Sequence, residues 1–311
     1  MPGKAVNFQN DFRLAVGKPP ELCVRLSGYS HFRIGGVADY FFSAGSVPEL
    51  ERAVVLARQC SVPYFIIGGG YNVLFDDEGF RGLIIKNEVK GIERKRDNEI
   101  EAHSGATIRE LLDFCCRENL GGLEYMAGIP GTVGGAVYGN AGAFDKDIGG
   151  RVTEALLLDE KGKKERVGGD YLGFGYRSSR LQRIHSFVLK VTLRAEEKSL
   201  SRIQAAVDEI LEQRKKKHPP WHVACAGSFF RNPVLPDGKK VPAALLLDRV
   251  GARALRVGDA AVYEGHANFI INKGRAASRD VRLLASELKK RVKEEFGITL
   301  REEVILVPKE P

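Results

Sequence analysis

The segment from residue 66 to residue 74 reads Ile66-Ile67-Gly68-Gly69-Gly70-Tyr71-Asn72-Val73-Leu74. Its apolar start, together with Pro63-Tyr64-Phe65, predicts a buried strand. The three glycines leave consecutive backbone N–H groups accessible, and a turn of this kind can hold a pyrophosphate. The segment is not the GxGxxG dinucleotide fingerprint, because Val73 takes the place of the third glycine and no helical pattern follows. A plain hairpin turn is the competing interpretation.

A second glycine-rich segment spans 127–136 and continues as Asn140-Ala141-Gly142-Ala143. Its first ten residues contain four Gly and one Pro, a composition that disfavours both a helix and a central strand. Such a segment can wrap closely around a flat or charged ligand, or it can be a mobile surface loop. Its alternating apolar residues, Ile129 and Val133 among them, favour partial burial.

Two further motifs surround single polar residues. Arg177 lies among small and aromatic residues in segment 173–180, where its guanidinium could present a planar donor fork to a carboxylate; a surface arginine is equally consistent. Ser228 lies between a glycine and two phenylalanines. This is not the GxSxG nucleophile elbow, and no Ser-His-Asp set can be argued, so a structural hydroxyl is the alternative.

The remaining pattern predicts helices and strands that do not alternate regularly. Capping boxes begin helices at Ser46 and Thr107, and further helices follow residue 201 and begin at Ser278. Strands are predicted at 82–85, 153–159, 186–194 and 303–307. Without a regular βαβ alternation, an α+β fold is favoured over a TIM barrel or a doubly wound sheet.

The chain has 311 residues, enough for two or three domains, and a formal net charge of +8. Nucleic-acid binding is one interpretation of that charge. The basic residues are dispersed, however, and a positive field also speeds the encounter with anionic substrates. Small-molecule substrates are therefore expected, and no nucleic acid.

The distribution of apolar residues, cysteines and histidines argues against a membrane protein, a secreted protein and a metalloprotein. No apolar window is long enough for a membrane span, and the N-terminus leads into no apolar signal segment. The five cysteines are odd in number, scattered and without a CxxC pair, which indicates reduced thiols and a cytoplasmic location. His218 and His222 are separated by two prolines, so no metal site is predicted.

Taken together, these segments resemble the UDP-N-acetylenolpyruvoylglucosamine reductase (MurB) family. The order and spacing of the motifs, over about residues 30–305, make the resemblance specific. The segments that carry it are 32–36, 68–74, 121–124, 127–143, 173–179, 226–233, 266–272 and Glu303-Val304. The short interval between Arg177 and Ser228 is similar to the family's type II form.

The resemblance implies an α+β fold with a two-part FAD-binding domain of the vanillyl-alcohol-oxidase (PCMH) type and a C-terminal α+β substrate-binding domain. The expected boundaries are 1–87 and 88–198 for the two FAD-binding subdomains and 199–311 for the substrate-binding domain. FAD is the implied cofactor and NADPH the implied reductant. The residues implied to hold FAD are Gly68, Gly69, Gly70, Tyr71, Asn72, Val73, Leu74, Pro130, Gly131, Thr132, Gly134, Gly135 and Ala136.

The reaction that the family carries out is the reduction of UDP-N-acetylglucosamine enolpyruvate to UDP-N-acetylmuramate, in peptidoglycan precursor synthesis. The resemblance implies that Arg177 clamps the substrate carboxylate, that Glu303 stabilises the developing enolate with a raised pKa, and that Ser228 donates the proton to C2. Lys217, Asn232 and His266 are implied to contact the substrate.

The sequence departs from the family pattern at Ser30-His31, Tyr71, Ala224-Cys225 and Ile305. Two alternatives remain at this stage. One is another FAD-dependent oxidoreductase of the same fold that acts on a different small substrate, although the joint presence of Arg177, Ser228 and Glu303 favours the first assignment. The other is a non-enzymatic nucleotide or nucleic-acid binder. The sequence does not predict the oligomeric state.

Overall fold

The structure is a computed structural model that describes residues 8–308. Within that range the α-helices are α1 (Phe8–Val16), α2 (Val47–Gln59), α3 (Ile108–Glu118), α4 (Val133–Gly139), α5 (Leu200–Lys215), α6 (Ala243–Arg249) and α7 (Ser278–Phe296). Short 3-10 helices lie at Leu26–Tyr29, Glu124–Met126, Gly169–Leu172, Arg180–Gln182 and Ala252–Ala254.

The strands form three larger sheets and three two-stranded pairs. They are β1 (Glu21–Arg25), β2 (Val37–Ala44), β3 (Tyr64–Ile67), β4 (Val73–Phe75), β5 (Phe80–Asn87), β6 (Ile92–Arg94), β7 (Glu99–His103), β8 (Leu120–Gly121), β9 (Gly142–Ala143), β10 (Lys146–Asp147), β11 (Val152–Asp159), β12 (Lys164–Gly168), β13 (Ser186–Arg194), β14 (Glu196–Glu197), β15 (Ala224–Cys225), β16 (Arg256–Val257), β17 (Ala260–Val262), β18 (Ile270–Asn272) and β19 (Ile305–Val307). The larger sheets have the orders β1-β2-β5-β3, β12-β11-β13-β7-β6 and β15-β18-β17-β16.

The chain divides into two compact units, each built from separate stretches of sequence. Within residues 8–308, the first unit comprises 8–23, 39–69 and 81–213, and the second comprises 24–38, 70–80 and 214–308. The break between Gly69 and Gly70 divides the first glycine-rich turn between the two units.

The first unit has two buried cores. One lies against the sheet of β11, β13 and β7 and takes in α3 and α4, with Leu111, Val133 and Val191 almost fully buried. The other packs α1 and α2 onto β2 and β5. Both helix starts predicted from sequence are capped: Ser46 Oγ accepts from the N–H of Glu49, and Thr107 Oγ1 accepts from the N–H of Glu110. The capping box is complete only at Thr107 of these two, because the Glu49 carboxylate accepts from the N–H of Gly45 and not of Ser46.

The second unit packs α6 and α7 against the short sheet of β15 to β18. One face of α7 is buried, including Val281, Leu284, Leu288 and Val292, and Gly297 ends the helix in the left-handed conformation that glycine favours. Ala277 precedes α7 and has no side-chain oxygen to cap it. Asp77, on the turn after β4, does so instead: its carboxylate accepts from the N–H of Ser278 at 2.8 Å and of Arg279 at 3.2 Å.

The expectation that segment 127–136 avoids helical structure was wrong, because its last four residues begin α4. Thr132 caps the helix start, and Asn140 ends it in the left-handed conformation with φ +45°. Val133 and Val137 are fully buried, so packing of one face outweighs the low helix propensity of three glycines. The predicted partial burial of the segment is confirmed.

The other predicted elements are confirmed with small shifts at their ends. The strands foreseen at 82–85, 153–159, 186–194 and 303–307 are β5, β11, β13 and β19. The strand before the first glycine-rich turn is β3, although only Ile67 in it is fully buried. Within residues 8–308, no helix combines the length and apolar character needed to cross a membrane.

Candidate active site

In the first unit the two glycine-rich segments pack directly against each other. A side chain on Gly68 would overlap Thr132 Oγ1, so only glycine allows the turn after β3 to approach the start of α4 this closely. Thr132 Oγ1 also accepts from the N–H of Gly135 at 3.3 Å. On the other side of the helix, a Cβ on Gly134 would lie 2.8 Å from Ser104 Cβ. The glycines at 68 and 134 therefore have a packing role.

The exposed glycines of the same segments have a different character. Gly69 and Gly135 are exposed, and a Cβ on Gly135 would meet only Thr132 Oγ1 at 3.5 Å. The backbone at these two positions is open to a ligand, while the glycines beside them fix its shape. A phosphate group fits such a surface, because no Cβ keeps it from the peptide N–H groups. The residues present therefore fit the pyrophosphate of FAD.

The part of the first turn that lies in the second unit is held from two directions. Gly70 has φ +70°, and a side chain there would overlap Tyr29 O. Its own carbonyl accepts from the N–H of His31 at 3.0 Å. On the other side, Asn72 Nδ2 donates to Glu303 O at 3.1 Å, and β4 pairs in parallel with β19. The turn is consequently anchored to the segment that carries Glu303.

Arg177 lies at the tip of a tight turn in the first unit. Gly175 and Ser178 exchange two backbone hydrogen bonds of 3.0 and 3.1 Å, which places Arg177 in the left-handed region at φ +51°. That conformation is uncommon for a residue with a side chain and costs on the order of 1 kcal/mol. Arg177 Nη2 donates to Gly142 O at 2.9 Å, and the guanidinium lies 5.4 Å from the ring centre of Tyr176.

The residue that supports this turn is Asn140, which ends α4. Asn140 is almost fully buried, its Nδ2 donates to Gly175 O at 2.8 Å, and its Oδ1 accepts from Gly149 N at 2.9 Å. Gln182 Nε2 donates to Arg177 O from the other side at 3.2 Å. Helix α4 therefore begins in the segment predicted to bind FAD and ends at Asn140, which supports the turn that carries Arg177.

Ser228 is half-buried in the second unit, between Gly227 at φ +76° and the buried pair Phe229 and Phe230. Asn268 fixes the residues that follow it: its carbonyl accepts from Phe229 N at 2.8 Å, and its side chain exchanges hydrogen bonds of 2.9 and 2.8 Å with the backbone of Phe230. Glu303 N donates to Phe229 O at 2.8 Å. The structure therefore brings the segments of Ser228 and Glu303 side by side.

The three residues expected to contact substrate also lie in the second unit, in different settings. Lys217 is exposed just after α5. Asn232 Oδ1 accepts from Ala243 N at 2.9 Å, so this oxygen already serves the start of α6. His266 Nδ1 accepts from Asn268 N at 3.2 Å, which requires that Nδ1 carry no proton and leaves Nε2 as the donor.

His266 packs beside a second histidine. The rings of His218 and His266 lie 6.0 Å apart, and both contact Phe269. Burial, followed by the nearby charge of Arg214, lowers the pKa of His218 to about 4. Burial likewise lowers the pKa of His266. Both rings are therefore neutral in the folded protein near pH 7.

This pair predicts a loss of stability in acid. A histidine whose pKa is lowered by folding stabilises the protein fully above its unfolded pKa of about 6.5, and this contribution is lost as the pH falls toward the folded pKa. We expect the free energy of unfolding, measured with urea, to fall from pH 6.5 toward pH 4. The variant His218→Gln should show a shallower fall, while His222→Gln, at an exposed position, should follow the original protein. An unchanged slope in the first variant would contradict this explanation.

Two family models match parts of this chain. The family model of an FAD binding domain matches residues 38–168, and that of the C-terminal domain of UDP-N-acetylenolpyruvoylglucosamine reductase matches residues 219–307. A UDP-N-acetylenolpyruvoylglucosamine reductase of Chlamydia felis is 38% identical over 92% of this chain and 93% of its own length. One from Clostridium botulinum is 34% identical over 98% of both.

The chain belongs to the UDP-N-acetylenolpyruvoylglucosamine reductase family. The crystal structure of a MurB reductase from Thermus caldophilus superimposes on it with a TM-score of 0.76, at 31% identity, over 91% of this chain and 97% of that one. The predicted fold class is confirmed: an α+β FAD-binding domain is followed by a C-terminal α+β domain.

The residues expected to act in this reductase family fall in both units. Arg177 belongs to the first unit, and Ser228 and Glu303 belong to the second. A cavity of about 250 Å³ in the first unit, between β6 and α3, is lined by none of the predicted site residues. Among residues 8–308, no group of three metal-ligating side chains is suited to hold a metal ion.

Sequence reasoning missed the residues that hold the candidate site in shape. Asn140 and Asn268 lie inside motifs that the sequence analysis quoted, but nothing in their spacing indicates that their amides bind backbone 35 or 38 residues away. His31 and Trp221 were also missed as partners, because 190 residues separate them. An asparagine inside one of the quoted motifs is the one sequence signal that could have pointed to Asn140 and Asn268.

Proposed function

We propose that this protein reduces UDP-N-acetylglucosamine enolpyruvate to UDP-N-acetylmuramate with NADPH and FAD, in peptidoglycan precursor synthesis. The observation that carries the proposal is the similarity, over more than nine-tenths of the chain, to relatives that bear the reductase name. The adjacency of the Ser228 and Glu303 segments in the second unit supports it.

FAD, when bound, supplies the hydride chemistry by accepting a hydride from NADPH and passing it to the substrate. We assign its binding to Gly68–Leu74 and to the segment from Pro130 to Ala136. In the first unit Gly68 and Gly134 allow close packing of the backbone, and Gly69 and Gly135 leave the backbone exposed to a ligand. In the second unit the turn from Gly70 to Asn72 is anchored to the backbone of Glu303.

The side chains are assigned to charge and proton transfer. Arg177 binds the substrate carboxylate, and its turn is supported by Asn140 and Gln182 so that the guanidinium has a defined direction. Glu303 stabilises the charge that develops toward an enolate. Ser228 donates the proton to C2, which requires accurate placement because a serine hydroxyl is a weak acid. Lys217, Asn232 and His266 bind the rest of the substrate.

We propose the domain boundaries 1–87, 88–198 and 199–311. Each of the three larger sheets falls inside one of these ranges: β1-β2-β5-β3 in the first, β12-β11-β13-β7-β6 in the second and β15-β18-β17-β16 in the third. A cytoplasmic location, where NADPH is available, is part of the same proposal.

The test is an absorbance spectrum of the purified protein, followed by anaerobic addition of NADPH and then of the enolpyruvyl sugar nucleotide. We expect flavin bands that bleach with NADPH and return with the sugar nucleotide. Bands that bleach but do not return with it would leave a flavin reductase of another substrate. A protein that shows no flavin bands after incubation with FAD would contradict the proposal altogether.

A substitution at Gly68 tests the FAD assignment. In Gly68→Ala the new methyl group overlaps Thr132 Oγ1, and the resulting strain of about 1–3 kcal/mol separates the two glycine-rich segments. We expect FAD affinity, measured by quenching of flavin fluorescence, to fall roughly 5- to 100-fold. The control is Gly139→Ala at the end of α4, where a Cβ meets open space and affinity should not change. Equal affinities in the two variants would exclude a role for this contact.

A further inference from the structure

His31 joins three segments of the second unit. Its backbone N–H donates to Gly70 O at 3.0 Å, in the glycine-rich turn. Its ring nitrogens face two other carbonyl groups: Nδ1 lies 2.9 Å from Cys225 O, and Nε2 lies 3.1 Å from Trp221 O. One residue therefore connects the glycine-rich turn to the segment that leads to Ser228.

The surroundings of the ring are built to hold it in this position. The rings of Tyr71 and Trp221 lie 5.3 and 5.1 Å from the ring of His31, and 5.5 Å from each other. Both carbonyl oxygens can only accept, so a ring nitrogen that carries a proton donates to the carbonyl that it faces.

Of the two ring contacts of His31, the one with Cys225 O lies nearer in sequence to Ser228, the proposed proton donor. Cys225 lies in β15, which pairs with β18, and Ser228 follows it by three residues across Gly227. Asn268 fixes the backbone on the far side of Ser228, at Phe229 and Phe230. The near side contains Gly227 at φ +76°, with open space where a side chain would be. On the near side, the contact of His31 with Cys225 O adds to the pairing of β15 with β18.

We propose that His31 is a positioning residue that fixes the Ser228 hydroxyl for proton donation by tying the segment 221–225 to the glycine-rich turn. This inference rests on the proposed function. It adds a residue that has no contact with the reacting atoms and that acts through the backbone of Cys225. Through the same contacts, the position of the glycine-rich turn, which is assigned to FAD, determines the position of the proton donor.

The test compares the two half-reactions in His31→Phe, which keeps an aromatic ring between Tyr71 and Trp221 but removes both ring nitrogens. We expect bleaching of the flavin by NADPH to keep its rate within about twofold, and reoxidation by the enolpyruvyl sugar nucleotide to slow roughly 10- to 100-fold, as for a small misplacement of a reacting group. In steady state, kcat should fall while KM for the sugar nucleotide changes little. His31→Gln, which retains one N–H donor, should recover part of the lost rate.

His222→Phe is the matched control, since His222 is exposed in the same segment, and both of its half-reactions should keep their rates. Equal slowing of both half-reactions in His31→Phe, or no slowing of the second, would overturn the positioning role. If His31→Phe does not retain FAD, His31→Gln serves as the test variant, and an unchanged reoxidation rate in it would overturn the role. If the original protein itself is not reoxidised by the sugar nucleotide, the proposed function fails, and this outcome is distinct from the others.

Discussion

Replacing Ser228 with alanine is expected to leave flavin reduction by NADPH intact and to slow reoxidation by the enolpyruvyl sugar nucleotide 10²- to 10⁴-fold, roughly the effect of removing a positioned proton donor. The backbone around Ser228 is held by Asn268 and by the N–H of Glu303, and none of these bonds uses the serine hydroxyl. The substitution therefore removes the donor without a reason for the segment to move.

The measurement is stopped-flow absorbance of each half-reaction under anaerobic conditions. Flavin reduction by NADPH is the internal control, because the proton to C2 is needed only in the second half-reaction. Equal slowing of both half-reactions would contradict the assigned role, and so would a variant in which both rates are normal.

Replacing Arg177 with lysine is expected to lower kcat/KM for the enolpyruvyl sugar nucleotide roughly 10- to 100-fold, the effect of losing hydrogen bonds to a charged group. One guanidinium nitrogen already donates to Gly142 O at 2.9 Å, and the planar group can present its other nitrogens to a carboxylate at the same time. A lysine ammonium has a single nitrogen and no planar fork, so it cannot reproduce both contacts.

Arg180→Lys is the control for this substitution, because it makes the same change three residues away. Arg180 is exposed and its guanidinium lies 4.4 Å from the ring centre of Tyr171. We expect its kcat/KM to stay close to that of the original protein. The kcat/KM of each variant is measured from steady-state rates of NADPH oxidation over a range of sugar nucleotide concentrations. A near-normal kcat/KM for Arg177→Lys would rule out a carboxylate clamp.

The elements that could be predicted from sequence are those whose signals are local. The structure confirms the cap at Ser46, the capping box at Thr107 and the helix that begins at Ser278, and each of these signals lies within a few neighbouring residues. Helix α4 could not be predicted, because three glycines oppose it locally and burial of Val133 and Val137 offsets their low helix propensity. That burial depends on strands far away in sequence.

The same distinction holds for the candidate site. The glycine-rich turns and the residues Arg177, Ser228 and Glu303 are recognisable because each motif is a short contiguous pattern. The residues that hold them are not, because their partners are distant: Asn72 binds the backbone of Glu303, 231 residues away, and His31 binds that of Cys225, 194 residues away. Which amide or imidazole makes such a bond is decided by tertiary packing.

The pairing of β19 with β4, and the capping of α7 by Asp77, have a consequence for how the chain is made. The last strand ends at Val307, and its partner β4 and the cap of α7 come from residues 73–77. During translation residues 73–77 must therefore wait without these partners until residues 278–307 have left the ribosome. A protein truncated before residue 303 would lack the partner of β4, and a C-terminal fragment from 214 onward would lack both the cap of α7 and the strand beside β19, so neither piece can complete the second unit on its own.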